Sequence, residues 1–421
     1  MEKKIKQTPL HGWHRIEGAN MGLFANYEMP LWYPKGAKEE HLAVIRHAGL
    51  FDTSHMAFLL VKGEAALPLL QKTFSRDLTS GSSGFFPLTG KCFYGLFLTD
   101  GGWVLDDAIL YGISFDEYLV VVNAGNGAVI CDHLKMYGQG SPVQITDLTG
   151  QLGKIDIQGP ASGRILHTLG AFTGVEIKKI HYFTFVGHFQ KGKSSTFIHD
   201  IPVLLSRTGY TGEFGFEIIA SVDGVLQLWE EIVQKGKKWN LLPCGLAARD
   251  SLRTGALLPL SHQDIGPFLF LNNPWTFALP LDAEKKGFTK DFIGGDALLR
   301  EFSTHPYHTY PFVGFDLRKV QTAKSPVVVA GDGKKIGTVL TCVTDIALER
   351  YGGTIVNHGR QESLSGSAVK GLSCGFLRTE SPLSCRDKVT IDDGIRKIDV
   401  EIVNDIRPLR TARADILKMV M

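Results

Sequence analysis

Two acids on consecutive positions, Asp106 and Asp107, interrupt the apolar segment Val104 to Tyr111, inside the run Lys91 to Asn123. Side chains alternate across a strand, so Asp107 shares one face with Leu105, Ile109 and Tyr111, and Asp106 the other with Val104, Ala108 and Leu110. A carboxylate against a hydrophobic wall resists ionisation unless donors satisfy it, which is how a folded chain makes a tunable acid or base. The pattern equally fits two acids that cap a turn or meet surface arginines. A second stretch with chemical content is Ser206 to Ile219, SRTGYTGEFGFEII. Gly209, Gly212 and Gly215 around Tyr210 let backbone approach backbone or a flat ligand closely, and Glu217 follows on a strand. A glycine-rich hairpin with its Tyr and Glu in solvent has the same shape. In a third stretch, Cys244 to Leu260, helical spacing puts Leu246, Arg249, Asp250 and Arg253 on successive turns, with Gly245 near the start.

Two other patterns are set aside. Ser54 and His55 offer a nucleophile beside a base, but neighbours on a strand point to opposite faces, and the pair must lie within hydrogen-bond reach. Gly187 to Ser194, GHFQKGKS, fits the phosphate-loop pattern GxxxxGK[ST]. That loop works at a helix N-terminus, whereas the following STFIHDIPVLL alternates, carries β-branched residues and contains Pro202, so Lys193 and Ser194 belong to a hairpin tip.

The elements that must position these residues follow from local pattern. Asp100-Gly101-Gly102 joins two strands as a tight hairpin. Residues 21–35 read as a strand or extended arm, Glu39–His47 as a helix, Leu59–Val61 as a strand, Ala65–Phe74 as a helix and Tyr118–Asn123 as a strand. Further helices are expected over Asp132–Tyr137, from Ala161 and over Val225–Gln234, with a strand over Val143–Leu148. Towards the C-terminus, VGFDL, SPVVVAGDGKKIGTVLTC and KVTIDDGIRKIDVEIV alternate like strands, with Asp332-Gly333 and Asp393-Gly394 at hairpin turns.

The bulk of the chain sets limits. Its 421 residues suffice for two to four domains. A 44% hydrophobic and 21% charged composition is that of an ordinary globular protein, and a net charge of +2 gives no strong pull towards nucleic acid or a membrane surface. The six cysteines are scattered without a CxxC pair, which favours free thiols over a zinc site or disulfide framework. The N-terminal MEKKIKQTPLHGWH lacks the apolar segment of a secretion signal, and no run approaches a membrane span, so the expectation is cytoplasmic.

Taken together, FANYEMPLWY, GLFDTSHM, the strand with both acids and the VVNAGN after it, DIQGP, SRTGYTGEFGFE, CGLAARDSLR and DFIGGDALL lie in one order over about 300 residues. In this the chain resembles the glycine cleavage system T-protein family, the tetrahydrofolate-dependent aminomethyltransferases. The resemblance implies an α+β fold of three domains in a cloverleaf around a central folate channel. Residues 1–56 and 147–265 would form a discontinuous folate-binding domain, 57–146 an inserted αβ domain with the catalytic acid, and 266–421 a C-terminal antiparallel β-barrel or jelly-roll-like domain. It implies Asp107 as the catalytic residue near folate N5, and Met56, Tyr94, Ile109, Tyr111, Asn123, Tyr182, Tyr210, Glu217 and Arg249 as further folate contacts. No metal is implied. The implied reaction moves an aminomethyl group from a lipoyl-carrying partner protein to tetrahydrofolate as acceptor, giving methylene-tetrahydrofolate and ammonia. Nucleic acid and membrane are not expected partners.

Four departures bear on the donor. Phe214 stands where the family has an acid, Gly255 where it has a glutamate, and Phe277 where it has a tryptophan, unless Trp275 has shifted into that place. The C-terminal signature is largely replaced, with an apparent insertion over 351–369. Two alternatives follow: a tetrahydrofolate-dependent demethylase acting on a small S-, O- or N-methyl donor, and a non-enzymatic folate-binding protein of the iron-sulfur assembly branch. The second branch carries KGCYxGQ where this chain has KDFIGGDAL; Lys91-Cys92-Phe93-Tyr94-Gly95 matches it only superficially and in the wrong domain.

Overall fold

A computed structural model describes residues 5–79, 88–169, 172–173, 177–266, 268–359 and 371–420. Its framework is two sheets and a closed barrel, with helices packed on the sheets: an α+β fold. The first sheet is antiparallel, in the order Cys92–Leu98, Val104–Gly112, Glu117–Val122, Ala57–Lys62 and Gln144–Asp147. The hairpin at its start turns through Asp100-Gly101-Gly102, where Gly102 takes φ +77°, a conformation that costs a residue without Cβ little. The alternation read from the sequence holds from Asp106 onward; before it a bulge turns Leu105 into the core of Ala108 and Leu110 and puts Val104 with Leu96 and Leu98, against the expectation for both. Ala108 and Leu110 pack into a core with Ile130 and Leu134 of the Gly127–Gly138 helix, whereas Ile109 and Tyr111 join Phe58, Phe185 and Leu204 on the other side.

The second sheet runs Phe185–Gly187, Leu204–Ser206, Gly215–Ser221, Leu152–Gln158, Ala48–Asp52 and Leu241–Pro243, antiparallel until its last, parallel neighbour. Ala48–Asp52 pairs directly with Leu152–Gln158. The chain therefore leaves this sheet after Asp52, builds the whole first sheet, and returns. The Val222–Gly236 helix buries Trp229 and Leu228 against it, its N-terminus capped by the Ser221 side chain, which accepts from Gly224 N–H at 3.3 Å.

The barrel closes through His308–Gly314, Leu372–Thr379, Lys335–Asp345, Val327–Val329, Lys388–Asp392 and Lys397–Ile402; the two longer alternating segments supply four of these strands, VGFDL is strand only at Val313 and Gly314, and Leu372–Thr379 was not read from the sequence. Gly333 and Gly394 take φ +87° and +83° at the two expected turns. The 21–35 arm is a hairpin, Asn20–Phe24 with Tyr27–Trp32. Thr53 to Met56 form a turn between strands rather than part of one, and the Ser54 hydroxyl donates to the Lys154 carbonyl, so it pairs with backbone and not with His55. Residues 188–196 are turns without a helix; Lys193 Nζ bonds Glu117 at 2.7 Å and the Ser194 hydroxyl donates to Thr196 O, which removes the phosphate-loop context. All six cysteines are free, five of them buried. Of the 351–369 insertion, the first part completes the Leu348–Tyr351 and Thr354–Asn357 hairpin, and 360–369 lie outside the described residues. Among the described residues no helix is long and apolar enough to cross a membrane.

The helix Leu246–Gly255 joins the second sheet to the barrel. At its end, Arg407 donates to Asp345 Oδ2 at 2.6 Å and to the carbonyls of Thr211 and Leu252, all buried. A Cβ on Gly255 would lie 2.2 Å from Asp345 Oδ2 and 2.4 Å from Arg407 Nη1. The glutamate of the family pattern has no room there once this ion pair is present. Gly255→Ala is expected to lower stability by about 1–3 kcal/mol through overpacking, read from the urea midpoint at unchanged m-value; a change within about 0.3 kcal/mol would show that the pair gives way freely.

Candidate functional site

A cavity of about 1440 Å³ opens where the two sheets, the Asn20–Trp32 hairpin and the Leu246–Gly255 helix meet. Met56, Tyr94, Asp107, Ile109, Tyr111, Asn123, Tyr182, Tyr210, Glu217 and Arg249 all line it. Pockets for drug-sized ligands are roughly 300–1,000 Å³, so this one is larger than such a molecule usually takes.

On one wall stands Asp107, with Asp106 buried behind it. Asp107 Oδ2 accepts from the Tyr94 hydroxyl at 2.9 Å and Oδ1 from Asn123 Nδ2 at 2.7 Å. The same amide nitrogen reaches Asp106 Oδ1 at 2.9 Å, which also accepts from Ser261 Oγ at 2.7 Å, while Asp106 Oδ2 accepts from Asn123 N–H at 2.9 Å. Every one of these donors is neutral. Burial, and then the charge of Asp106, push Asp107 up to about 7; burial also raises Asp106 against the donors that favour its anion. Burial and the Asp107 carboxylate hold the Tyr94 hydroxyl well above the ordinary phenol range, so it stays a donor.

A second acidic group is built the opposite way. Lys154 Nζ, itself buried, donates to Asp156 Oδ1 and Glu217 Oε1, each at 2.6 Å. Arg249 Nη1 donates to Asp156 Oδ2 at 3.0 Å, and its guanidinium lies 4.8 Å from the Tyr210 ring centroid. Glu217 Oε2 accepts from Thr208 at 2.5 Å and Tyr111 at 3.2 Å. Burial raises Asp156, but Lys154 and Arg249 outweigh it and hold the carboxyl below its ordinary value. The glycines of this loop serve the protein rather than a ligand: a Cβ on Gly209 would lie 2.0 Å from Gln158 Oε1 and one on Gly215 2.6 Å from Gln158 Cδ. Gln158 Nε2 donates to the carbonyls of Thr208 and Phe216, pinning the loop that carries Tyr210.

Lys154 and Asp156 were missed as site residues by the sequence reading. Their signal is a period of two on a strand, with Ile155 and Ile157 on the other face. His55 also lines the cavity, and burial pushes it down to about 4, so it is neutral at pH 7. Phe277 faces the cavity, 5.6 Å from the Tyr94 ring, whereas Trp275 is fully buried and donates to the Leu257 carbonyl. Phe214 is buried in the core against Phe216 and lines no part of the cavity.

A family model described as the GCVT N-terminal domain matches residues 10–269, which holds all ten of these positions. An aminomethyltransferase of Symbiobacterium thermophilum is 35% identical over 83% of this chain and 88% of its own length. One of a Geobacillus species is 33% identical over 80% of this chain and 86% of its own length. The chain belongs to the GCVT aminomethyltransferase family. It is accordingly an enzyme of the aminomethyltransferase type. The fold agrees: the glycine cleavage system aminomethyltransferase T of Bartonella henselae superposes with a TM-score of 0.76 at 24% identity, over 99% of both chains.

Within this family member, Lys154 carries a checkable cost. Lys154→Met leaves Glu217 buried without a cation and Asp156 with Arg249 alone. A loss of about 3–5 kcal/mol is expected at pH 8, the scale for breaking a buried pair on one side. The sign with pH follows. Deprived of Lys154, Asp156 loses the larger of the two charges that hold its carboxyl down, so the deficit should shrink as pH falls towards 5; a deficit independent of pH would contradict the ion-pair account.

Proposed function

We propose that the cavity takes tetrahydrofolate as acceptor and that the enzyme passes an aminomethyl group to it from a lipoyl-carrying partner protein, releasing ammonia and methylene-tetrahydrofolate. The observation that carries the reading is the gathering of all ten expected positions around one cavity, with Asp107 in its wall and held by Tyr94 and Asn123. The named relatives support the aminomethyl donor. The division of the chain at 57–146 and 266–421 belongs to the same proposal.

The chain's own groups suit the chemistry. The pterin edge presents an N–H and an amino group side by side, which Glu217 accepts, and the ring face lies against Tyr210, whose own face is covered by Arg249. Of the four acceptor positions of Glu217, three are engaged by Lys154, Thr208 and Tyr111, so pairing with the pterin draws Lys154 towards Asp156. N5 is itself the nucleophile. The enzyme's task is therefore orientation and charge management: Asp107 holds N5 and stabilises or removes the positive charge that develops there. Phe277 adds an apolar ring beside Tyr94 on the cavity wall.

Two experiments test this reading. Asp107→Asn is expected to keep folate binding within about tenfold while turnover falls at least about a hundredfold, the scale of a positioned acid–base group; normal turnover would remove Asp107 from the mechanism. In a donor screen with tetrahydrofolate read by mass, methylene-tetrahydrofolate should form from an aminomethyl-lipoyl donor. Methyl-tetrahydrofolate from a free S-, O- or N-methyl compound, without any lipoyl protein, would replace the aminomethyl reading with a demethylase.

A further inference from the structure

We propose that Asp106, which does not line the cavity, is a positioning residue whose buried charge sets the proton affinity of Asp107, so that the two carboxyls act as one acid–base unit carrying a single exchangeable proton. The proposal rests on the reading of Asp107 as the acid nearest N5.

The geometry that carries it is the shared amide. Asn123 Nδ2 spans the two carboxylates, 2.9 Å from Asp106 Oδ1 and 2.7 Å from Asp107 Oδ1, and thereby holds two like charges against each other. Asp106 is wholly buried and accepts from three neutral donors: Asn123 N–H, Asn123 Nδ2 and Ser261 Oγ. Asp107 accepts from two neutral side chains and faces the cavity. The better-supplied anion is Asp106, so the proton belongs on Asp107.

The groups around the pair are neutral or already engaged. From Cys92–Leu98 comes Tyr94, from the glycine-rich loop Tyr210, whose hydroxyl donates to Pro259 O. From beyond Glu117–Val122 come Asn123 and Asn126, and from the segment after Leu246–Gly255 come Ser261 and the exposed His262, which bonds Asn126 Nδ2 at 2.8 Å. Asp264 is paired with Arg253. Most of the cavity's cations are engaged elsewhere: Arg249 and Lys154 on Asp156, Arg410 on Asp405, and Arg76 on the Phe277 carbonyl at 2.5 Å, while Arg413 lies over the Tyr182 ring and Lys91 lines the cavity with no bond to either acid. Among the described residues no cation bonds either Asp106 or Asp107. Two carboxylates in one apolar site with no cation cannot both ionise cheaply, and such pairs lose their protons in two separated steps. The consequence for turnover is direct. Above about pH 7 Asp107 is ionised; as N5 bonds the methylene carbon, that carbon's bond to the departing ammonia breaks, the cationic N5 passes its proton to the Asp107 carboxylate, and the charge of Asp106 adds to burial in making Asp107 basic enough to take it.

Two measurements test this. In the wild-type enzyme without substrate, infrared titration should show a carboxylic-acid band growing as pH falls through about 7; Asp107→Asn should remove that part of it, leaving the part due to buried Glu40, which burial also raises to about 7. Wild-type and Asp107→Asn spectra that agree between about pH 5 and 9 would overturn the proposal whether or not the protein transfers aminomethyl groups. In Asp106→Asn, one neighbouring negative charge is gone, so the proton leaves Asp107 more readily. The acid limb of kcat/KM is expected to move down by at least about one pH unit, with KM for tetrahydrofolate changed by less than about threefold. A variant that is merely less stable, with the acid limb unmoved, would assign Asp106 a structural role and refute the tuning; the infrared titration decides the matter should that variant not fold.

Discussion

Consecutive carboxylates in one strand, satisfied by neutral donors and given no cationic neighbour among the described residues, are the constraint around which the site is arranged. Leaving such a pair in an apolar wall costs free energy that a lysine nearby would relieve. The protein has a buried lysine and an arginine close at hand and uses them on Asp156 and Glu217 instead. One acidic group is thereby locked as anions that orient, and the other is kept near its point of protonation. In the proposed reading the contrast separates recognition at one end of the pterin ring from charge management at the other.

The rest of the fold reads as support for that separation. The first sheet offers Asp107 on the face opposite its helices because strand side chains alternate, and the second sheet supplies Glu217 and Asp156 as cross-strand partners. The Leu246–Gly255 helix brings Arg249 to both Asp156 and Tyr210, and its far end is fixed by Arg407 and Asp345, which reach it from the barrel side. Orientation of Arg249 therefore depends on residues from three separate parts of the chain.

Local pattern made much of this legible. The Asp100-Gly101-Gly102 turn, the alternating strand after it, the helix with Arg249 and the two barrel hairpins each carry their own signal within a few residues, and each is present where that signal lies. Asp107, Tyr210, Glu217 and Arg249 stand out by pattern, but the folate roles of all ten positions came from resemblance, since no pattern of their own names a ligand. What stayed illegible depends on residues far apart in the chain. Lys154 matters because Glu217 lies on the neighbouring strand, Gly255 because Arg407 and Asp345 fill the space a side chain would take, and Gly209 because Gln158 lies beneath it. The phosphate-loop match failed for the reverse reason: its letters were right and the following helix was absent.

The central claim is that a reduced pterin lies in this cavity with N5 against Asp107. A crystal structure of the enzyme with a stable N5-substituted tetrahydrofolate tests it most directly. N5, or the carbon it bears, should lie within about 3–3.5 Å of an Asp107 oxygen, with the pterin amino group at Glu217 and the ring on Tyr210. A folate bound outside the cavity, or inside it with N5 turned away from Asp107, would contradict the account.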